Sequence, residues 1–126
     1  MEYSIGDIVF LHNNSFKYPD GTVGGMHPFV IFAIDKGEFE LLPASYSALL
    51  VSSKSSQSGR KYNETLEADS INRLLEDSHV KCDFLYKNIS SDDILHKMGE
   101  VTKEQLIKFI ELYFLAKSKG ELQQQI

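Results

Sequence analysis

The stretch Gly6-Asp7-Ile8-Val9-Phe10 and, after an irregular loop, the stretch His27-Pro28-Phe29-Val30-Ile31-Phe32-Ala33-Ile34 decide the fold of this chain. β-Branched and aromatic side chains crowd both runs, and such side chains pack well on a pleated sheet. The first run predicts a strand over residues 7 to about 12. The second is apolar throughout residues 29–34, which is typical of a strand covered on both faces, as in a small closed barrel.

The segment between these two strands, residues 13–26, is long for a connection in a compact domain. It contains the turn signal Tyr18-Pro19-Asp20-Gly21, and Gly24-Gly25 precedes His27. Long loops that persist in compact domains usually serve binding or catalysis. We therefore expect function near this loop.

The rest of the chain predicts further strands and one helix. Thr102-Lys103-Glu104-Gln105 is a capping box, so a helix is predicted over residues 103–119, with Gly120 as its stop and residues 121–126 as a frayed tail. Residues 69–75 are either one helical turn or an irregular connection, and the Ser-rich residues 52–59 are a polar loop. Further strands are predicted over residues 38–42, 46–52 (alternatively a strand-like edge), 61–66, 79–89 and 94–101.

Composition limits the function classes. A chain of 126 residues predicts one domain, here residues 1–120, and a net charge of −5 argues mildly against binding to duplex DNA. The single cysteine, Cys82, is predicted to be buried and cannot form an intramolecular disulfide, which favours a reducing cytosol. No apolar run reaches the ~18 residues of a membrane span. We expect a cytoplasmic protein without a membrane segment.

Motifs for phosphate-binding loops, metal centres and serine hydrolases are absent from the sequence, and no metal site is predicted. His27 is the most interesting ionisable residue, because imidazole suits proton transfer near neutral pH. The alternative is a histidine that only ends a strand. Ser45 and Ser47 would lie near His27 if residues 29–34 and 38–42 pair, although a serine that binds local backbone is the plainer interpretation.

The order of these features resembles the MazF/PemK family, toxin components of bacterial toxin–antitoxin pairs that are small ribonucleases. The opening strand Gly6-Asp7-Ile8-Val9 is similar to the family's Gly-Asp-Ile/Val-Val, and His27 stands where the family usually has a catalytic Arg. The likeness covers most of the chain, and its other motifs are Pro28-Phe29-Val30-Ile31, Leu42-Pro43-Ala44-Ser45, Asp77-Ser78-His79-Val80-Lys81-Cys82-Asp83 and Met98-Gly99-Glu100-Val101-Thr102 followed by a helix.

The resemblance implies a mainly β (α+β) fold, an SH3-like small β-barrel of the MazF/PemK/CcdB type with a C-terminal α-helix. It also implies metal-independent cleavage of single-stranded RNA, without a cofactor, by a homodimer that a partner antitoxin neutralises. Carried over, the catalytic residues are His27 and Ser45, with His27 shifted from a phosphate clamp towards acid–base chemistry. The expected RNA-binding residues are Phe16, Lys17, Tyr18, Ser47, Lys54, Arg60 and Lys61. The alternative is an inactive barrel that binds protein or nucleic acid.

Overall fold

A computed structural model describes residues 2–12, 27–37, 43–53 and 59–123. Within these ranges the chain forms six antiparallel strands and one α-helix. The strands are β1 (Asp7–Leu11), β2 (Pro28–Asp35), β3 (Ser45–Ser52), β4 (Asn63–Leu66), β5 (Ser78–Ser90) and β6 (Ile94–Glu100). A 3-10 turn, Ser91–Asp93, links β5 to β6, and the helix α1 is Lys103–Ser118.

The strands form one sheet in the order β4-β5-β3-β2-β1-β6. Within the described ranges no ladder joins β4 to β6, so the sheet is open and these two strands are its edges. The prediction that the chain is mainly β with a C-terminal helix is confirmed. The predicted strand at residues 38–42 lies outside the described residues, and the partner of β2 on this side is β3.

Both faces of the sheet are buried, which explains the continuous apolar run in β2. Phe29 and Ile31 belong to one hydrophobic cluster, whereas Val30 between them belongs to a second cluster on the other face. This is the alternation of side chains expected along a strand. The second cluster includes Phe109 of α1, so the helix covers that face, and it includes Cys82, which is 0% exposed. The predicted burial of Cys82 is confirmed.

The helix begins as the sequence predicts. The Thr102 hydroxyl accepts a hydrogen bond from the backbone N–H of Gln105 at 3.1 Å, and the Gln105 side chain accepts from the backbone N–H of Thr102 at 2.8 Å. No helix in the described part of the chain is long and apolar enough to cross a membrane.

Candidate functional site

The structure places His27 on a pocket of about 230 Å³ at one end of the sheet. Five strands and one loop meet there. β1 pairs with β2 at Phe10 and Pro28, and the end of β3, the start of β5, part of β6 and the loop before β5 close the other sides. We call it the His27 pocket. Its lining residues are Phe10, His27, Pro28, Val51, Ser53, Leu74, Leu75, Glu76, Ser78 and Met98.

One wall of the His27 pocket comes from residues 67–77, the β4–β5 loop, which is organised around a buried amide. Asn72 is 1% exposed. Its Oδ1 accepts hydrogen bonds from the backbone N–H groups of Asp69 and Leu74, each at 3.0 Å, and its Nδ2 donates to the Glu67 carbonyl at 2.8 Å. One side chain thus satisfies three backbone groups, which an irregular loop could not otherwise pair away from water.

Two further contacts fix the β4–β5 loop to the rest of the fold. The Asp77 carboxylate accepts from the backbone N–H of Ala68 at 2.8 Å and so ties the two ends of the loop together. The backbone N–H of Glu100 on β6 donates to the Ile71 carbonyl at 3.2 Å, beside Gly99. The loop is therefore a defined wall with its tip held against the sheet edge.

The polar groups of the His27 pocket suit proton transfer. Its lining residues include His27, Glu76 and Ser53, which carry an imidazole, a carboxylate and a hydroxyl, together with several apolar residues. The Ser78 hydroxyl donates to the Glu76 carbonyl oxygen at 3.0 Å and so holds the backbone that carries the carboxylate. A histidine and a carboxylate on one pocket can act as paired acid and base.

The rim of the His27 pocket exposes an unusual apolar residue. Leu75 is 96% exposed, whereas its neighbour Leu74 is 8% exposed and packs in the second hydrophobic cluster. Leu75 therefore adds exposed apolar surface beside the pocket. Within residues 2–12, 27–37, 43–53 and 59–123, no group of three His, Cys, Asp or Glu side chains could hold a metal ion.

The expectation that Ser45 or Ser47 lies near His27 is wrong. Ser45 pairs with Asp35 and Ser47 with Ala33, so both lie towards the far end of β2 from His27. Because β2 is eight residues long, Ser45 and His27 are separated by roughly 25 Å at ~3.3 Å per residue. The hydroxyl that β3 brings to the His27 pocket is instead that of Ser53, just after the strand.

The remaining predicted site residues fall into two groups. Phe16, Lys17, Tyr18 and Lys54 lie outside the described residues. Arg60 and Lys61 line a different pocket, of about 360 Å³, which we call the Lys81 pocket. It is lined by Arg60, Lys61, Tyr62, Asn63, Lys81, Asp83, Glu121 and Gln123.

The sequence reasoning missed Glu76, Ser53 and Lys81. Glu76 lies in a polar run that carries no motif, and its position on the His27 pocket depends on the long-range contacts of the β4–β5 loop. Lys81 was predicted only as a polar position of a half-buried strand. A local pattern could not have found any of the three as site residues.

Comparison with known proteins adds no relative. No family model matches the chain, and no curated protein matches it.

Proposed function

We propose that this chain is a MazF/PemK-like endoribonuclease that cleaves single-stranded RNA without a metal ion, with the His27 pocket as its active site. The observation that carries the proposal is that His27, Glu76 and Ser53, which carry an imidazole, a carboxylate and a hydroxyl, all line one pocket. The ordered sequence motifs support it independently. An SH3-like type for the six-stranded sheet, the cytoplasmic location and the absence of a cofactor are parts of the same proposal.

In the proposed reaction the Glu76 carboxylate takes the proton of the ribose 2′-hydroxyl. The 2′-oxygen then attacks the adjacent phosphorus, and the bond from phosphorus to the 5′-oxygen breaks. The imidazolium of His27 gives its proton to that leaving oxygen, which leaves a 2′,3′-cyclic phosphate and a 5′-hydroxyl end. Its positive charge also offsets the charge that develops on the phosphate, the task that an Arg performs at this position in the family.

Apolar residues of α1 support the association that the proposal includes. Ile107 and Phe114 are large hydrophobic residues that are 46% and 55% exposed. They lie on the side of α1 away from Phe109, the helix residue that is 0% exposed in the sheet-facing cluster. Exposed apolar patches of this kind mark interaction surfaces. A homodimer or a bound antitoxin would cover them.

The direct test is incubation of the purified chain with a long single-stranded RNA in EDTA, followed by sequencing of the RNA ends. We expect cleavage with a 5′-hydroxyl on the downstream fragment. His27→Ala and Glu76→Gln should each slow it by about 10²–10⁴-fold, the usual contribution of a general acid or base.

The matched control is a residue of the same type as Glu76 that does not line the pocket. Glu111→Gln changes an exposed glutamate on α1 and should leave the rate unchanged. RNA that stays intact both in EDTA and in magnesium would refute the proposal. Tight RNA or protein binding without any cleavage product would instead favour the inactive binding module.

A further inference from the structure

The C-terminal segment, residues 121–123, lies beside β5 and contributes Glu121 and Gln123 to the lining of the Lys81 pocket. Gly120 turns the chain after α1 with φ +67°. The backbone N–H of Gln123 then donates to the Asp83 carbonyl at 2.8 Å, and its Nε2 donates to Asp83 Oδ2 at 3.1 Å. Gln123 forms a parallel bridge with Phe84. Residues 121–123, predicted as the start of a frayed tail, are therefore anchored to the sheet.

Because residues 121–123 are anchored in this way, the Glu121 carboxylate lies beside the ammonium group of Lys61. Glu121 Oε1 lies 3.2 Å from Lys61 Nζ. Their hydrogen bond raises the pKa of Lys61 and lowers the pKa of Glu121, so both stay charged near neutral pH. Both side chains are about half exposed, at 58% and 44%. Exposed pairs of this kind are weak, because water solvates both charges well, so another anion can replace the carboxylate.

Lys81 supplies a second cation from the floor of the pocket. It is a half-buried residue on β5, and burial lowers the pKa of its ammonium group because the charged form loses hydration. The nearby charge of Arg60 lowers the pKa further, whereas Asp83 raises it. A desolvated cation beside another cation is stabilised when an anion binds next to it.

Tyr62 adds a hydrogen-bond donor at the same place. The residue is 4% exposed and lines the pocket. Its hydroxyl lies close enough to Lys61 and Glu121 to contribute to their pKa shifts. Even so, its oxygen meets no partner at hydrogen-bond geometry among the described residues. A buried hydroxyl without a partner is costly, and an anionic oxygen in the pocket would satisfy it.

We propose that the Lys81 pocket binds a phosphate group, and that the Glu121 carboxylate takes the place of that phosphate in the unbound chain. Carboxylate and phosphate oxygens accept the same charge-assisted hydrogen bonds from ammonium groups. Lys61, Lys81 and Tyr62 would donate to the phosphate, and Glu121 would leave. The phosphate of a single-stranded RNA is the source expected from the proposed function, on which this part of the inference rests; free inorganic phosphate is the other source.

Binding can be measured without cleavage by using a fluorescent 2′-O-methyl oligoribonucleotide, which lacks the attacking hydroxyl. Glu121→Gln should tighten binding several-fold in an anisotropy titration. Lys81→Gln should weaken it and reduce the slope of log K against log salt by about 0.7, the change for one phosphate contact to a single strand. Lys61→Gln, a change at an exposed residue that leaves packing intact, should weaken binding in the same way.

The matched control is Glu111→Gln, which makes the same change in net charge on α1. It should tighten binding much less than Glu121→Gln does. Equal tightening by the two variants would overturn the inference, because the effect would then come from net charge alone. An unchanged salt slope in both Lys81→Gln and Lys61→Gln would overturn it as well.

Two further measurements distinguish the two sources of phosphate from each other and distinguish the phosphate-binding proposal from the endoribonuclease proposal. Inorganic phosphate that competes with the oligonucleotide in the native chain, and less in Lys81→Gln, supports a pocket for the phosphate group itself. If oligonucleotide binding depends on Glu121 and Lys81 as expected but the chain cleaves no RNA, the proposal of an endoribonuclease is refuted and the proposal of a phosphate-binding pocket stands. If the chain cleaves RNA normally and these variants do not change oligonucleotide binding, only the proposal that the Lys81 pocket binds phosphate is refuted.

Discussion

Gly99 on β6 lies where the backbone of the β4–β5 loop closely approaches the sheet. A Cβ atom added there would collide with the Asn72 carbonyl oxygen and would lie 2.6 Å from the Asn72 carbonyl carbon and 2.7 Å from the Ile71 carbonyl oxygen. All three are backbone atoms, which cannot turn away as the end of a flexible side chain can. Glycine at this position therefore permits the contact that holds the loop.

We expect Gly99→Ala to lower the free energy of unfolding by roughly 1–3 kcal/mol, the usual cost of overpacking a buried site. The loop should also loosen, so the amides of Asn72 and Leu74 should exchange with deuterium faster. Urea denaturation and hydrogen exchange measure the two effects.

Gly37→Ala is the control for this variant. Gly37 has φ +75° and no atom within 4 Å of an added Cβ, so that substitution strains only the local backbone. It should cost roughly 1–2 kcal/mol without changing exchange in the β4–β5 loop. Unchanged loop exchange in Gly99→Ala would show that the close contact does not hold the loop.

At the scale of the element, the β4–β5 loop depends on Asn72 for its shape. We expect Asn72→Ala to cost about 1–3 kcal/mol for each buried backbone group that loses its partner. The cleavage rate should fall further than stability alone explains, because the loop carries Glu76 and one wall of the His27 pocket. Urea denaturation and the EDTA cleavage assay at a temperature where the variant is folded give the two readings.

Thr102→Ala gives a matched loss of stability at a distant element. Removing the N-cap hydroxyl of α1 should cost about 1 kcal/mol and leave the cleavage rate of the folded protein unchanged, since Thr102 does not line the pocket. If Asn72→Ala cleaves RNA as fast as Thr102→Ala does, the loop has no part in the site.

Local patterns in the sequence predict the elements well and the site poorly. The alternation in β5 identifies Val80, Cys82 and Phe84 as buried, and each is at most 2% exposed. The grouping of residues into a site depends instead on strand register. In the antiparallel pairing of β3 with β2, Ser45 lies opposite Asp35 and Leu50 lies opposite Phe29. Ser45 is therefore at the end of β2 that is far from His27, and the residues that follow β3 are at the end near His27.

The β4–β5 loop shows why the rest could not be predicted. Its shape comes from side-chain-to-backbone hydrogen bonds of Asn72 and Asp69 and from contact with Gly99, which is 27 residues further along the chain than Asn72. None of these contacts leaves a periodic pattern. The sequence therefore predicts an irregular connection at most, and the position of Glu76 follows only from the folded structure.

At the scale of the whole molecule, the central sheet separates two hydrophobic clusters, so the stability of the fold depends on burial on both faces. Cys82 is the ionisable group set deepest in the second cluster. Its thiol donates to the Val80 carbonyl at 3.6 Å. Burial, reinforced by the charges of Glu64 and Asp83, raises the pKa of Cys82 from 9.0 to about 12.

This shift makes global stability fall in alkali. Between about pH 9 and pH 12 the unfolded chain has lost the Cys82 proton while the folded chain retains it, so unfolding releases a proton and is favoured as pH rises. The contribution is fully present below pH 9 and decreases by up to about 1.4 kcal/mol for each pH unit above it.

Urea denaturation of the native chain and of Cys82→Ala at pH 8, 9, 10 and 10.5 isolates this effect, because the other alkaline titrations are common to both. Cys82→Ala should start less stable, through the cavity it creates, and should lose stability less steeply above pH 9. Parallel stability curves for the two proteins would show that the thiol ionises equally well in the folded and unfolded chains.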